Sequence, residues 1–295
     1  MPSTRDIRRR IRSVKNTAQI TKAMQMVASS KMRKAQQAAL AGRAYAALMN
    51  DVLKAVCGHA GDFAHPLMQP RPVRKQALVV VSTDKGLCGA LNSNLMREAS
   101  KADKETTVFI CAGRKGSQFI ARTKRQLAAE FTYKDSPQFA EARAISRFAQ
   151  ELFLKGEVDK VDVVFTNFIT TLNQKPETRA FLPIGQMVEV QAEVAGEGTG
   201  KPLAPEEGGI EYQFEPGPEQ VFGALLPHYL NFQLFQLLLE AKASEHSSRM
   251  VAMKNATDNA QQLIKDLTLE YNKLRQANIT KELLEITTAQ MALGT

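Results

Sequence analysis

The residues best placed for chemistry follow the first strongly apolar run. Gln76 to Thr83 (QALVVVST) leads into Asp84-Lys85-Gly86-Leu87-Cys88-Gly89-Ala90, a glycine-bearing turn where dinucleotide-binding folds cradle phosphate. A dinucleotide fingerprint, GxGxxG, uses three glycines: for the turn, for close approach of backbone to pyrophosphate, and for helix packing. A P-loop adds GK[ST] for phosphate and magnesium. This turn offers only GxxG, with no GK[ST] and no acidic residue ending a second strand, so it falls short of both. No Ser/His/Asp, Cys/His or HExxH constellation can be assembled either. Cys57, Cys88 and Cys111 are odd in number and lack CxxC spacing, which argues against a disulfide framework or zinc site and for a reducing compartment. His59, His65, His228 and His246 lack ligand spacing. The sequence therefore predicts a chain that is not itself an enzyme and holds no cofactor and no metal.

The elements around that turn belong to two classes. From Thr4 to Cys57 there is one glycine, Gly42, and no proline; from Leu226 to Leu293 there is one proline, Pro227, and no glycine. Both ends read as long helices. Small or apolar residues recur at Ile7, Ile11, Val14, Ala18, Thr21, Met24, Ala28, Met32, Ala35, Ala39, Gly42, Ala46, Met49, Leu53 and Val56, alternating steps of three and four, the period of a left-handed coiled coil. Met250, Met253, Ala256, Ala260, Leu263, Leu267, Tyr271 and Leu274 give the matching seam at the other end. Each seam needs a partner helix, and the simplest partner is the other terminus. At 1.5 Å per residue, His228 to Leu293 would span roughly 100 Å. Met24, Met26, Met32, Met250 and Met253 read as flexible filler where the helices cross.

Between the helices, beyond a loop at Gly58 to Pro72, the period changes. Gln76 to Thr83, Thr106 to Ala112 and Lys160 to Thr170 are short β-rich runs of the kind buried in a parallel sheet. Leu127 to Tyr133 reads as an additional strand. Helices are predicted at Asn92 to Lys101, at Lys115 to Thr123, and at Pro137 to Lys155 with Ser136 as N-cap and Pro137 at the first position. Alternating strands and helices imply a Rossmann-like α/β domain. Residues 191–218 are rich in Gly, Pro and Glu and read as a surface connection, with a short strand at Ile210 to Phe214. The fold class is α/β with long helices: an antiparallel coiled coil of the terminal helices (1–57 and 219–295) with an inserted Rossmann-like domain (73–190).

The formal net charge of +9 is uneven. Residues 1–56 carry twelve Lys or Arg against Asp6 and Asp51, a net of +10, while the remainder is near neutral. Such a helix suits a solvated coiled-coil face, an acidic protein partner or nucleic acid. A targeting peptide also fits Arg5 to Lys34, although the heptad runs unbroken through it. The apolar runs Ala77 to Val81 and Tyr229 to Leu239 are too short to cross a bilayer, which needs roughly 20 apolar residues.

Three segments carry a resemblance. Ile20-Thr21-Lys22-Ala23-Met24-Gln25-Met26-Val27-Ala28-Ser29-Ser30-Lys31-Met32, Ser82-Thr83-Asp84-Lys85-Gly86-Leu87-Cys88-Gly89 and Ser248-Arg249-Met250-Val251-Ala252-Met253-Lys254-Asn255-Ala256-Thr257-Asp258-Asn259-Ala260 closely resemble the gamma subunit of F-type ATP synthases, in the same order. Thr287-Thr288-Ala289-Gln290-Met291 departs from the small Gly/Ala-rich tail common in that family. The resemblance implies a rotary central stalk, coupling ion-driven rotation of a membrane ring to ATP synthesis or hydrolysis. Its implied partners are three alpha and three beta subunits, an epsilon subunit and the rotor ring of c subunits. It implies a peripheral position on the cytoplasmic face of a bacterial inner membrane. By residue, it places Arg275, Gln276 and Thr280 as a polar catch on the catalytic ring, and Lys85, Cys88 and Met24 near an acidic helix-turn-helix of beta.

Overall fold

The computed structural model describes residues 3–59, 65–184, 215 and 217–293. Helix α1 (Thr4–His59) opens the chain and α5 (Pro218–Leu293) closes it. Between them lie β1 (Gln76–Val81), α2 (Leu91–Ala99), β2 (Thr107–Ala112), α3 (Arg114–Arg122), β3 (Gln126–Phe131), α4 (Phe139–Leu154), β4 (Lys160–Phe168) and β5 (Gln174–Leu182). The chain forms two compact units, Met1–Ser29 with Arg249–Thr295, and Ser30–Ser248.

In the first unit, the period of 3.5 turns directly into burial. Ile7, Thr21 and Ala28 are buried, and Ile11, Val14, Ala18 and Met24 are half-buried; the intervening Arg and Lys are exposed. The α5 side is buried at Met253, Thr257, Ala260 and Leu267, half-buried at Ile264, Tyr271 and Leu274, and Leu263 is exposed. The seam thus runs 253, 257, 260, 264, 267, 271, 274, a regular alternation of four and three. The expected positions 256 and 263 are each one residue early, because a count of apolar residues passes over Thr257. Its hydroxyl lies 2.7 Å from that of Thr21, so a polar pair occupies the seam by satisfying itself. Met253 is buried in this unit, as Met32 is in the other, whereas Met26 is 61% exposed.

In the second unit, five strands lie in the order β3-β2-β1-β4-β5. β1, β2, β3 and β4 are parallel, the Rossmann-like arrangement. Side chains alternate across β1: Val79 and Val81 join Ile145, Phe153, Tyr229 and Leu234 beneath α4 and α5, while Leu78 and Val80 join Leu95, Phe109 and Ile120 beneath α2 and α3. β5 is antiparallel to β4 and had no counterpart among the predicted strands. Its sequence QKPETR is polar and contains Pro176, both tolerated only at a sheet edge. α4 starts two residues later than expected. Its N-cap is Gln138, whose N–H donates to the Glu141 carboxylate at 2.9 Å, and Ser136 and Pro137 lie outside the helix. α5 likewise begins at Pro218 and runs through Pro227. The expected strand at Ile210 to Phe214 lies outside the described residues.

Within this unit α1 also runs antiparallel to α5. Gln236 Nε2 donates to the Ala39 carbonyl at 3.0 Å, and six residues farther along α1 the Tyr45 ring packs at 4.5 Å on Phe232. The loop after α1 is anchored by Leu67, which is 1% exposed and whose carbonyl accepts the Ile184 N–H.

The seam register is testable. Thr21→Cys with Thr257→Cys should form a disulfide under mild oxidation with helical circular dichroism unchanged, read by peptide mapping of the linked fragments. Cross-linking only when the second cysteine is moved to position 256 would restore the uncorrected register.

Candidate functional site

Three groups of residues carry the features singled out above. The first is the turn after β1. At its start the Ser82 hydroxyl donates to the Gly113 carbonyl (3.0 Å) and receives the Gly116 N–H (2.8 Å). Gly113 sits at φ +107°, and a Cβ there would lie 2.3 Å from the Ser82 carbonyl, so this close crossing requires glycine. Tyr133 donates its hydroxyl to that carbonyl at 3.0 Å. Beyond it the turn is clamped by its own side chains. The Asp84 carboxylate takes the N–H of Arg114 at the start of α3 (3.0 Å), and Thr83 donates to the Lys85 carbonyl (2.7 Å). Asn92, at the start of α2, donates to Thr83 Oγ1 (2.8 Å) and to Cys88 Sγ (3.3 Å). These bonds tie the turn to the starts of both α2 and α3. Lys85 and Leu87 are exposed, whereas Cys88 is 2% exposed. What Cys88 offers is its carbonyl, which accepts the Ser248 hydroxyl of α5 at 2.7 Å.

The second group was missed by the sequence reading. Lys242 on α5 is 1% exposed. Its ammonium bonds Glu245 at 2.9 Å, lies 4.5 Å from the centre of the Tyr133 ring and 3.9 Å from Asp135. Asp135 in turn accepts Lys31 of α1 at 2.5 Å. The Lys31 hydrogen bond, followed by the charges of Lys31 and Lys242, holds the Asp135 carboxyl below its ordinary range. Burial, reinforced by Glu245 and the neighbouring carboxylates, pushes the Tyr133 phenol well up, so it stays a hydrogen-bond donor. The composition carries part of the signal: Leu226 to Ser247 lacks a consistently polar face, so some of its charges must be buried, while the groups they meet lie elsewhere in the chain.

The third group is the end of α5. Burial stops at Leu274, and residues 275–291 are exposed throughout. Arg275, Gln276 and Thr280 lie here beside Ile279 (49% exposed), Leu283 (58%) and Ile286 (61%). Together they make an exposed apolar stripe on a single helix. Met24 is half-buried in the seam rather than displayed, and Arg5, Arg8, Arg9, Arg10, Arg12, Lys15 and Lys22 of α1 are all exposed.

The buried pair gives a sharp stability test. Lys242→Met removes the cation beside buried Glu245 and should cost about 3–5 kcal/mol in denaturant unfolding; adding Glu245→Leu should recover much of it. Lys31→Met should cost less than about 1 kcal/mol at neutral pH, because Asp135 is half exposed. A depressed carboxyl pKa stabilises above the unfolded value and loses that contribution as pH falls through the folded one. The difference between Lys31→Met and the parent should therefore vanish in acid.

The family model described as ATP synthase matches residues 3–293. The ATP synthase gamma chain of Opitutus terrae is 49% identical over 295 residues, covering 99% of each chain, and that of Methylacidiphilum infernorum is 46% identical over 299 residues, covering all of each. Among solved structures, a chain of the Tetrahymena thermophila mitochondrial ATP synthase central stalk and c-ring aligns with TM-score 0.60 at 25% identity, over 80% of this chain and 99% of that one. A chain of the Euglena gracilis mitochondrial enzyme shares the fold, with TM-score 0.68 at 20% identity over 98% and 94%. With the family model spanning residues 3–293 and gamma-chain relatives aligned over their whole length, the chain belongs to the ATP synthase gamma chain family, a non-catalytic subunit of that complex.

Proposed function

We propose that this chain is the central-stalk rotor of an F-type ATP synthase, passing torque between a membrane ring of c subunits and a catalytic ring of three alpha and three beta subunits. The observation that carries the reading is the bare end of α5, where an apolar stripe and a polar cluster lie side by side on one unpaired helix. Residues 1–57 with 219–295 act as the shaft. Residues 73–190 form the side domain that engages epsilon and the c ring, joined to the shaft by residues 191–218. The complex works on the cytoplasmic face of a bacterial inner membrane, with this chain peripheral to it; no helix among the described residues is long and apolar enough to cross a bilayer.

The stripe at Ile279, Leu283 and Ile286 seats the tail in an apolar sleeve, and Arg275, Gln276 and Thr280 grip loops of the catalytic ring. The threonines that replace the family's small residues suit such a sleeve. Thr287 and Thr288 bond back to the Leu283 and Leu284 carbonyls at 3.1 and 2.7 Å, which leaves their methyl groups outward. The basic face of α1 offers charge to the acidic lever of beta with Met24 packed behind it in the seam, and Lys85 offers charge to the same class of partner from the other unit, where Cys88 supports the turn from within through its carbonyl. A shaft that is not three-fold symmetric meets each catalytic subunit differently, so it holds the three sites in different states.

Each hydrogen bond made in one rotary state only is worth about 1–3 kcal/mol where a charged group takes part. In complexes reconstituted with alpha and beta, Gln276→Leu with Thr280→Val should lower ATP turnover, while the melting of the free chain stays nearly unchanged. Normal turnover in that variant, with a large loss on Lys85→Glu, would place the torque contacts at the turn and not at the tail.

A further inference from the structure

A cavity of about 280 Å³ lies between α1, the end of β4 and α5, in the unit formed by residues 30–248. Its walls are Gln36 and Leu40 of α1, Phe168 and Ile169 at the end of β4, and Glu240 and Ala243 of α5. Leu40 and Ile169 form an exposed apolar rim. Glu240 is 9% exposed, and among the described residues its Oε2 has no hydrogen-bond partner. Its other oxygen takes only a long contact from Gln236 Nε2 (3.4 Å), whose shorter bond goes to the Ala39 carbonyl. Lys242, two residues along α5, does not serve it, because that ammonium is held by Glu245 and Asp135. A carboxylate removed from water without a donor is costly, and proteins rarely keep one unless something completes it.

The lining defines what would complete it. An anion is repelled, and a neutral apolar group leaves the carboxylate oxygen unmatched. A divalent metal would need several more oxygen ligands than one carboxylate and one glutamine supply. An ammonium carries positive charge and three donors, and an attached apolar stem would cover Leu40, Phe168 and Ile169. We propose that this cavity binds a primary ammonium group on a short apolar stem, the chemistry of a lysine side chain or of a free amphipathic amine.

The test uses the purified full-length chain with phenethylamine, and 2-phenylethanol as its uncharged counterpart. The amine should raise the melting temperature in a concentration-dependent way and the alcohol should not. Glu240→Gln should weaken the amine effect at least tenfold in concentration. Without ligand, that variant should melt no lower than the parent, because an unmatched charge has been removed. Should Glu240→Gln fail to fold, Ala243→Leu, which fills the cavity and spares the carboxylate, should abolish the amine effect in its place. Equal stabilisation by amine and alcohol, none by either, or an amine effect that survives both substitutions would overturn the proposal. Repeating the titration on the complex assembled with alpha and beta separates the sources. Binding retained there identifies a free amine, whereas binding in the free chain alone identifies a lysine of a partner subunit as the occupant.

Discussion

The structure rests on one constraint: the two ends of the chain each carry an apolar seam that only the other end can bury. Neither helix is amphipathic enough to stand alone in water, and helices of this length draw most of their stability from packing, not from propensity. Pairing α1 with α5 lays two segments from opposite ends of the sequence side by side, and α5 continues exposed past its last seam residue, Leu274. Everything between must therefore be an insertion whose own ends approach one another, a demand that an α/β domain with β1 and β4 side by side meets readily. The seam also dictates where polar residues can go. Thr21 and Thr257 are tolerated because each satisfies the other.

A second layer of organisation is polar. Ser82, Tyr133, Lys242, Asp135 and Lys31 form a continuous chain of hydrogen bonds and charge contacts from the end of β1 to both long helices. Apolar packing would hold these elements together at any of several registers. A buried ammonium that must meet a carboxylate, with an aromatic face beside it, permits one, which is how buried ion pairs contribute specificity even where their net stabilisation is small.

Much of this was legible in the sequence, for reasons that differ by element. β1, β2 and β4 were read correctly because strands buried on both faces are continuous runs of Val, Ile and Phe. The α1 seam was legible because a 3.5-residue period leaves its mark in composition. β5 was invisible: an edge strand facing water has no need of apolar residues, and Pro176 points the other way. The α4 cap was misplaced because Ser136-Pro137 obeys a strong local rule that Gln138 and Glu141 override with a reciprocal pair. The α5 seam slipped by one residue because Thr257 counts as polar until its partner is known. At the candidate site, Lys85 and the tail residues Arg275, Gln276 and Thr280 are displayed on the surface, but Cys88 is buried and meets Ser248 through its backbone carbonyl, a contact that no reading of side-chain types could find. Lys242 and Glu240 depend on what packs around them from distant parts of the chain, information that spacing along one helix does not contain.

The unpaired end of α5 has a kinetic meaning beyond its shape. Starting a helix is the unfavourable step, with a nucleation constant of about 10⁻³, whereas adding a residue to an existing one is close to neutral. Residues 275–293 extend a helix that the coiled coil has already begun, so they avoid the nucleation cost and yet gain little from each added turn. Their helical order can lengthen and shorten by single residues at small expense. A surface that encircled this end would meet a probe able to thread in and stiffen as it goes, so that the last step of assembly would also be the last step of folding.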